Sequence, residues 1–152
     1  MRRQTQPHGF AARWVLCPMD LDPYGLPACY SLSVDCDADH AREARDVIEI
    51  TQNSIVVVHE VSDVPALKRT LDLQDFSGVA IRLESLVDVI DGFAISVNLH
   101  HPDPKLCFPL YMSYDMSEVG ARWQSWGRTL KLPHCCRNGM AGGARLLNGL
   151  AN

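Results

Sequence analysis

At 152 residues, 47% apolar and 21% charged, the chain has the size and composition of one globular domain and not of a disordered segment. A net charge of -4, with 14 basic residues scattered along the chain, excludes a general polyanion binder, which must cluster Lys and Arg to displace phosphate counterions. No apolar run approaches the roughly 18 residues of a membrane-spanning helix, so no membrane insertion is expected.

The chain opens on Met1-Arg2-Arg3-Gln4 and places Pro7, His8 and Gly9 where an export signal would carry its apolar stretch. A cytoplasmic location follows as the expectation, and with it reduced thiols at Cys17, Cys29, Cys36, Cys107, Cys135 and Cys136. Residues 1–20 show no sustained period and read as an N-terminal extension. Pro23, Gly25 and Pro27 then fix a turn path into a first predicted strand over residues 29–34.

An acidic connection follows. Asp35, Asp37 and Asp39 have the rhythm of a calcium loop, but the glycine and glutamate needed at its sixth and twelfth positions are replaced by His40 and Asp46. A solvated turn is the expectation. Residues 47–51 and 55–61 flank the short polar turn Gln52-Asn53-Ser54 and predict a hairpin. Pro65 opens a stretch to Leu73 with no clear period. Phe76-Ser77-Gly78 turns into a strand over 79–83 with Val79, Ile81 and Leu83 on one face.

Phe93, Ile95, Val97 and Leu99 alternate with polar or small residues, and the pattern resumes at Leu106, Phe108, Leu110 and Met112, predicting an antiparallel pair joined by residues 100–105. Pro109 cannot donate to a ladder and marks an edge strand or a bulge. A helix is predicted next, with Asp115 as N-cap, Glu118 as its capping-box partner and Tyr114 stapled on Val119. Val119, Trp123, Trp126 and Leu130 form its apolar stripe, and Pro133 stops it. Gly120 and Gly127 each cost about 0.8–1 kcal/mol inside a helix, which points to close packing against the sheet. Residues 134–152 read as a loosely ordered, glycine-rich tail. The fold expected is α+β: a single domain over 21–133 in which an antiparallel β-meander precedes one C-terminal amphipathic helix. The meander would form a curved sheet or small open barrel, in outline like pleckstrin-homology folds.

Four blocks carry a family resemblance. His100-His101-Pro102-Asp103-Pro104-Lys105-Leu106 with Phe108-Pro109-Leu110, Trp123-Gln124-Ser125-Trp126-Gly127-Arg128 with Leu130-Lys131-Leu132-Pro133, Leu21-Asp22-Pro23-Tyr24-Gly25-Leu26-Pro27, and Phe76-Ser77-Gly78-Val79-Ala80-Ile81-Arg82 occur in this chain. Over about residues 20–133 they resemble, in order, an uncharacterised family of small alphaproteobacterial proteins, a domain of unknown function. The resemblance implies a bacterial cytoplasmic protein and carries no activity or catalytic residues. After Leu132-Pro133 the chain departs from the family pattern, passing to His134-Cys135-Cys136 and a glycine-rich end.

Chemistry is sparsely signalled. Cys36 with His40, or His134 with Cys135 and Cys136, lack the paired spacing of a structural zinc site. There is no nucleophile elbow, phosphate loop or dinucleotide fingerprint, so no catalytic residue, cofactor or metal is assigned. The candidate surface is His100, His101 and Asp103 at a hairpin tip, together with Trp123 and Trp126. Turn chemistry accounts for the first three more simply than catalysis does, and helical spacing places the tryptophans in the core before any ligand or protein interface. The function expected is a non-enzymatic interaction or binding module, whose partner is another protein or a second copy of the chain and not nucleic acid. The alternatives are a small hydrolase using the histidine hairpin and a ligand sensor with an apolar cavity under the helix.

Overall fold

The computed structural model describes residue 14 and residues 17–34, 44–85 and 92–135. In chain order the strands are β1 (Met19–Asp20), β2 (Ala28–Ser33), β3 (Ala44–Ile50), β4 (Ser54–Val61), β5 (Val64–Asp72), β6 (Gly78–Ser85), β7 (Phe93–His100), β8 (Phe108–Ser113) and β9 (His134–Cys135). The helix α1 (Val119–Leu130) lies between β8 and β9. The fold is α+β and mostly antiparallel, as expected, but the meander is divided between two sheets and closes no barrel. One sheet has the order β2-β3-β4-β5 and the other β1-β8-β7-β6-β9. Two-residue strands near both ends of the described chain join the larger sheet, β1 pairing with β8 and β9 with β6.

The β3–β4 hairpin forms where the polar turn predicted it. The Thr51 hydroxyl accepts the N–H groups of Asn53 (3.2 Å) and Ser54 (3.0 Å), which locks the tight turn. This sets Ile50 opposite Ile55, and the pairing continues outward through Ile48–Val57 to Asp46–His59. On the same face, β2 and β5 extend these rows to Leu32-Asp46-His59-Leu67 and Tyr30-Ile48-Val57-Arg69. The stretch after Pro65 that showed no period is the long edge strand β5, exposed at eight of its nine residues. A strand with little to bury has no apolar alternation to betray it.

In the larger sheet Val79, Ile81 and Leu83 stand opposite Leu99, Val97 and Ile95. Between β7 and β8 the register slips from Val97–Tyr111 to Asn98–Pro109, so Leu110 is the extra residue of a bulge. Pro109 therefore sits at a bulge, and not on an edge strand, because β1 pairs with β8 on its other side.

The helix departs from its predicted caps. It begins at Val119 with Glu118 as N-cap and no side-chain cap, while the Asp115 carboxylate accepts the Ser117 N–H (2.9 Å) in a local turn. The expected capping box is not formed. At the far end Lys131 takes the left-handed conformation (φ 56°), and the Leu132 N–H donates to the Gly127 carbonyl (3.0 Å). That closure ends the helix before Pro133 is reached. A Cβ on Gly127 would meet the His134 ring, which would have to turn away from Trp123 to admit it; Gly120 has nothing within 4 Å and packing does not explain it.

A single core joins the inner faces of both sheets to the helix stripe: Ile48, Ile50 and Ile55, then Val79, Ile81, Val97 and Leu99, then Val119, Trp123, Trp126 and Leu130. The opposite face of the larger sheet is buried as well and is mixed, carrying Arg82, Glu84, Ser96 and Asn98 beside Ala80, Ala94 and Met112.

Candidate functional site

The hairpin brings His100, His101 and Asp103 together, and there His101 and Asp103 each hold the turn with a hydrogen bond. The His101 ring accepts the Asp103 N–H at Nδ1 (2.9 Å), and the Asp103 carboxylate accepts the Lys105 N–H (3.0 Å) at the start of the 3-10 turn Pro104–Leu106. The His101 ring also stands edge-on to Phe76, with centroids 5.0 Å apart. Cys107 Sγ accepts the His101 backbone N–H (3.3 Å), its thiol donates to the His101 carbonyl (3.4 Å), and the His100 Nδ1 lies 3.9 Å away. Burial pushes the Cys107 thiol up, the wrong direction for a nucleophilic thiolate.

Trp123 and Trp126 are 4% and 0% exposed. Neither offers a face to a partner: Trp123 donates its indole N–H to the Val79 carbonyl (2.8 Å) and meets the His134 ring at 4.9 Å. Neither tryptophan lines the pocket between the sheets. Among the described residues no group of three or more His, Cys, Asp or Glu could hold a metal ion. Asp35, Cys36, Asp37, Asp39, His40 and Cys136 lie outside the described residues.

The polar residues on the outer face of the larger sheet form a chain of contacts. The Asn98 amide donates to the Ser96 hydroxyl (2.9 Å), which reaches Glu84 at 3.5 Å, and Arg82 Nε pairs with the same carboxylate at 3.4 Å. Burial raises the Glu84 carboxyl, opposed by the Arg82 guanidinium, and the same burial lowers Arg82. The pairing keeps two costly charges inside the protein.

The arrangement with the clearest binding geometry lies between the sheets, in a pocket of about 250 Å³. Trp14 bridges to Val34 beside the smaller sheet, and its ring stands 5.3 Å from that of Phe108 on β8. Its indole N–H donates to Asp46 Oδ2 (2.7 Å), and Asp46 Oδ1 meets His59 Nδ1 at 2.6 Å. Asp46 is fully buried, while the His59 side chain is 30% exposed. The carboxylate fixes the imidazole through Nδ1 and leaves Nε2 as the ring nitrogen available to a ligand. Val57 and Leu106 complete the apolar walls, and Leu67, Arg69 and Lys105 also line the pocket.

Neither Asp46 nor His59 was singled out as a candidate from the sequence, although a signal existed. Asp46, Ile48 and Ile50 alternate, so the hairpin that buries the two isoleucines must also turn Asp46 inward. A carboxylate on the apolar face requires a partner, and the hairpin register supplies His59.

No curated protein and no solved structure matches the chain. The model of a family of unknown function, DUF6101, matches residues 8–150, a span that contains all four sequence blocks and extends beyond them at both ends; the chain belongs to that family.

Proposed function

We propose that the protein is a non-enzymatic binding module of the bacterial cytoplasm that holds a small ligand in the pocket between its two sheets. The observation that carries the reading is the preformed pocket, in which Trp14, Val57, Leu106 and Phe108 supply apolar walls and the Asp46-oriented His59 supplies a fixed polar group. Ligand sites are typically built this way, from mostly apolar walls and a few placed polar groups. Among the described residues the lining contains no hydroxyl or thiol, and in this reading the Asp–His pair serves to orient the ligand. The net charge of -4 supports a small molecule or protein over nucleic acid as partner.

Titration of the full-length protein with a library of small fragments, followed by two-dimensional NMR, tests the reading. Shifts gathered at Val57, His59, Leu106 and Phe108, and abolished by Val57→Phe, are the expected result. Shifts confined to the histidine hairpin or the helix would set it aside. A second reading, a protein partner added along β5, is favoured by the exposure of that edge strand and of Leu67 on it (69%). It predicts instead line broadening along Val64–Asp72 when the partner is added.

A further inference from the structure

Resting on the pocket reading above, we infer that the ligand is a small organic anion, a monocarboxylate carried on a single flat apolar ring. The argument is one of complementary polarity. Arg69 stands opposite Val57 and on the same face of the smaller sheet, and Lys105 reaches the pocket from the 3-10 turn of the β7–β8 hairpin. Both side chains donate hydrogen bonds only. The acid in the lining, Asp46, has one oxygen on the Trp14 indole and the other on His59, so its charge is engaged from behind the pocket wall. The charged side chains left to meet a ligand are cationic, in a chain whose net charge is -4.

Two other arginines of the described residues are matched by acids, Arg45 by Glu60 at 2.7 Å and Arg122 by Asp20 at 2.7 Å, while Arg128 reaches the Gln124 amide oxygen at 3.4 Å. Among the described residues Arg69 and Lys105 have no such carboxylate. An incoming anion would supply it, while its apolar body lies against Trp14, Val57, Leu106 and Phe108. The size of the body follows from the volume. A pocket of about 250 Å³ falls below the usual range of about 300–1,000 Å³ for ligand pockets, which limits the body to about one ring. A carboxylate fits better than a phosphate group, because the cations come from separate side chains and the pocket lining includes no residue of α1, whose N-terminus could have cradled a phosphate.

The test compares 3-phenylpropanoate with its neutral isostere 3-phenylpropanamide and with inorganic phosphate, by NMR titration of the full chain at neutral pH and low salt. The carboxylate is expected to move the pocket resonances at least tenfold more tightly than the amide, and phosphate to leave them unmoved. Arg69→Ala and Lys105→Ala, both at exposed positions, should each weaken the carboxylate threefold or more and leave the amide unchanged. Binding of the amide as tightly as the carboxylate would overturn the anionic class and leave the pocket reading standing. Phosphate binding at the pocket as tightly as the carboxylate would overturn the apolar body. Failure of both ring compounds to move any pocket resonance would overturn the inference and the pocket reading together.

Discussion

Asp20 and Arg122 meet through two N–H···O hydrogen bonds, at 2.7 and 2.8 Å, and the guanidinium lies over the Tyr111 ring at 5.7 Å. The Arg122 hydrogen bond holds the Asp20 carboxyl below its ordinary value of 3.8. A carboxyl lowered on folding contributes stability above the ordinary value and loses it as pH falls through the folded one. Both groups are partly exposed, so the contribution is about 0.2–1 kcal/mol. Asp20→Asn should therefore lower unfolding stability by that amount at neutral pH, with the difference closing below the ordinary carboxylate range; urea melts at pH 7 and pH 3 measure it. Residue chemistry at this scale was only partly legible in the sequence. The turn residues His101 and Asp103 could be read as turn-formers from their Pro-rich neighbours, whereas the Asp20–Arg122 pair spans a hundred positions and has no local signature.

The two helical glycines look alike in the sequence and separate in the fold. Gly120 faces open space, so Gly120→Ala should gain about 0.4–1 kcal/mol from the reduced entropy of the unfolded chain. Gly127→Ala has the same propensity gain available but drives a methyl group into the His134 ring, so it should destabilise the protein and loosen β9 from β6. Thermal unfolding of the two variants checks the opposite signs, and hydrogen exchange at Val79 N–H, which donates to the Pro133 carbonyl (2.9 Å), reports on the β9 end. Elements with a local signal are legible in the sequence: β2, the β3–β4 hairpin through its polar turn, and β6, β7, β8 and the α1 stripe through their apolar period. The helix start was misplaced because Asp115 is equally able to close an Asx turn on Ser117, and only the path of the chain leaving β8 selects between the two. β5 went unrecognised because its stability comes from the ladder to β4 and not from burial of its own side chains.

At the scale of the molecule, the two sheets share one apolar core and are tied by a few polar contacts, among them the Tyr30 hydroxyl donating to the Pro109 carbonyl at 2.7 Å. That carbonyl lies at the β8 bulge, so the bulge leaves an acceptor that the neighbouring sheet can use. Tyr30→Phe should cost about 0.5–1.5 kcal/mol with an unchanged denaturant slope. Burial of the hydroxyl pushes its ionisation well above the ordinary 10.0, so the folded state retains a proton that the unfolded chain releases. Stability should then fall as pH rises above about 10, and Tyr30→Phe should blunt that fall, measured by urea melts across this range.

Composition, the alternation of β6 to β8 and the Val119-Trp123-Trp126-Leu130 stripe were enough to determine an α+β protein with antiparallel strands and one buried helical face, because these periods are local consequences of which side chains avoid water. The division into two sheets, the return of β9 to β6 and the pocket between the sheets were decided only by the tertiary structure. Each depends on pairings between residues far apart in the chain, such as Trp14 with Asp46, Tyr30 with Pro109 and Val79 with His134, for which no local pattern exists to be read.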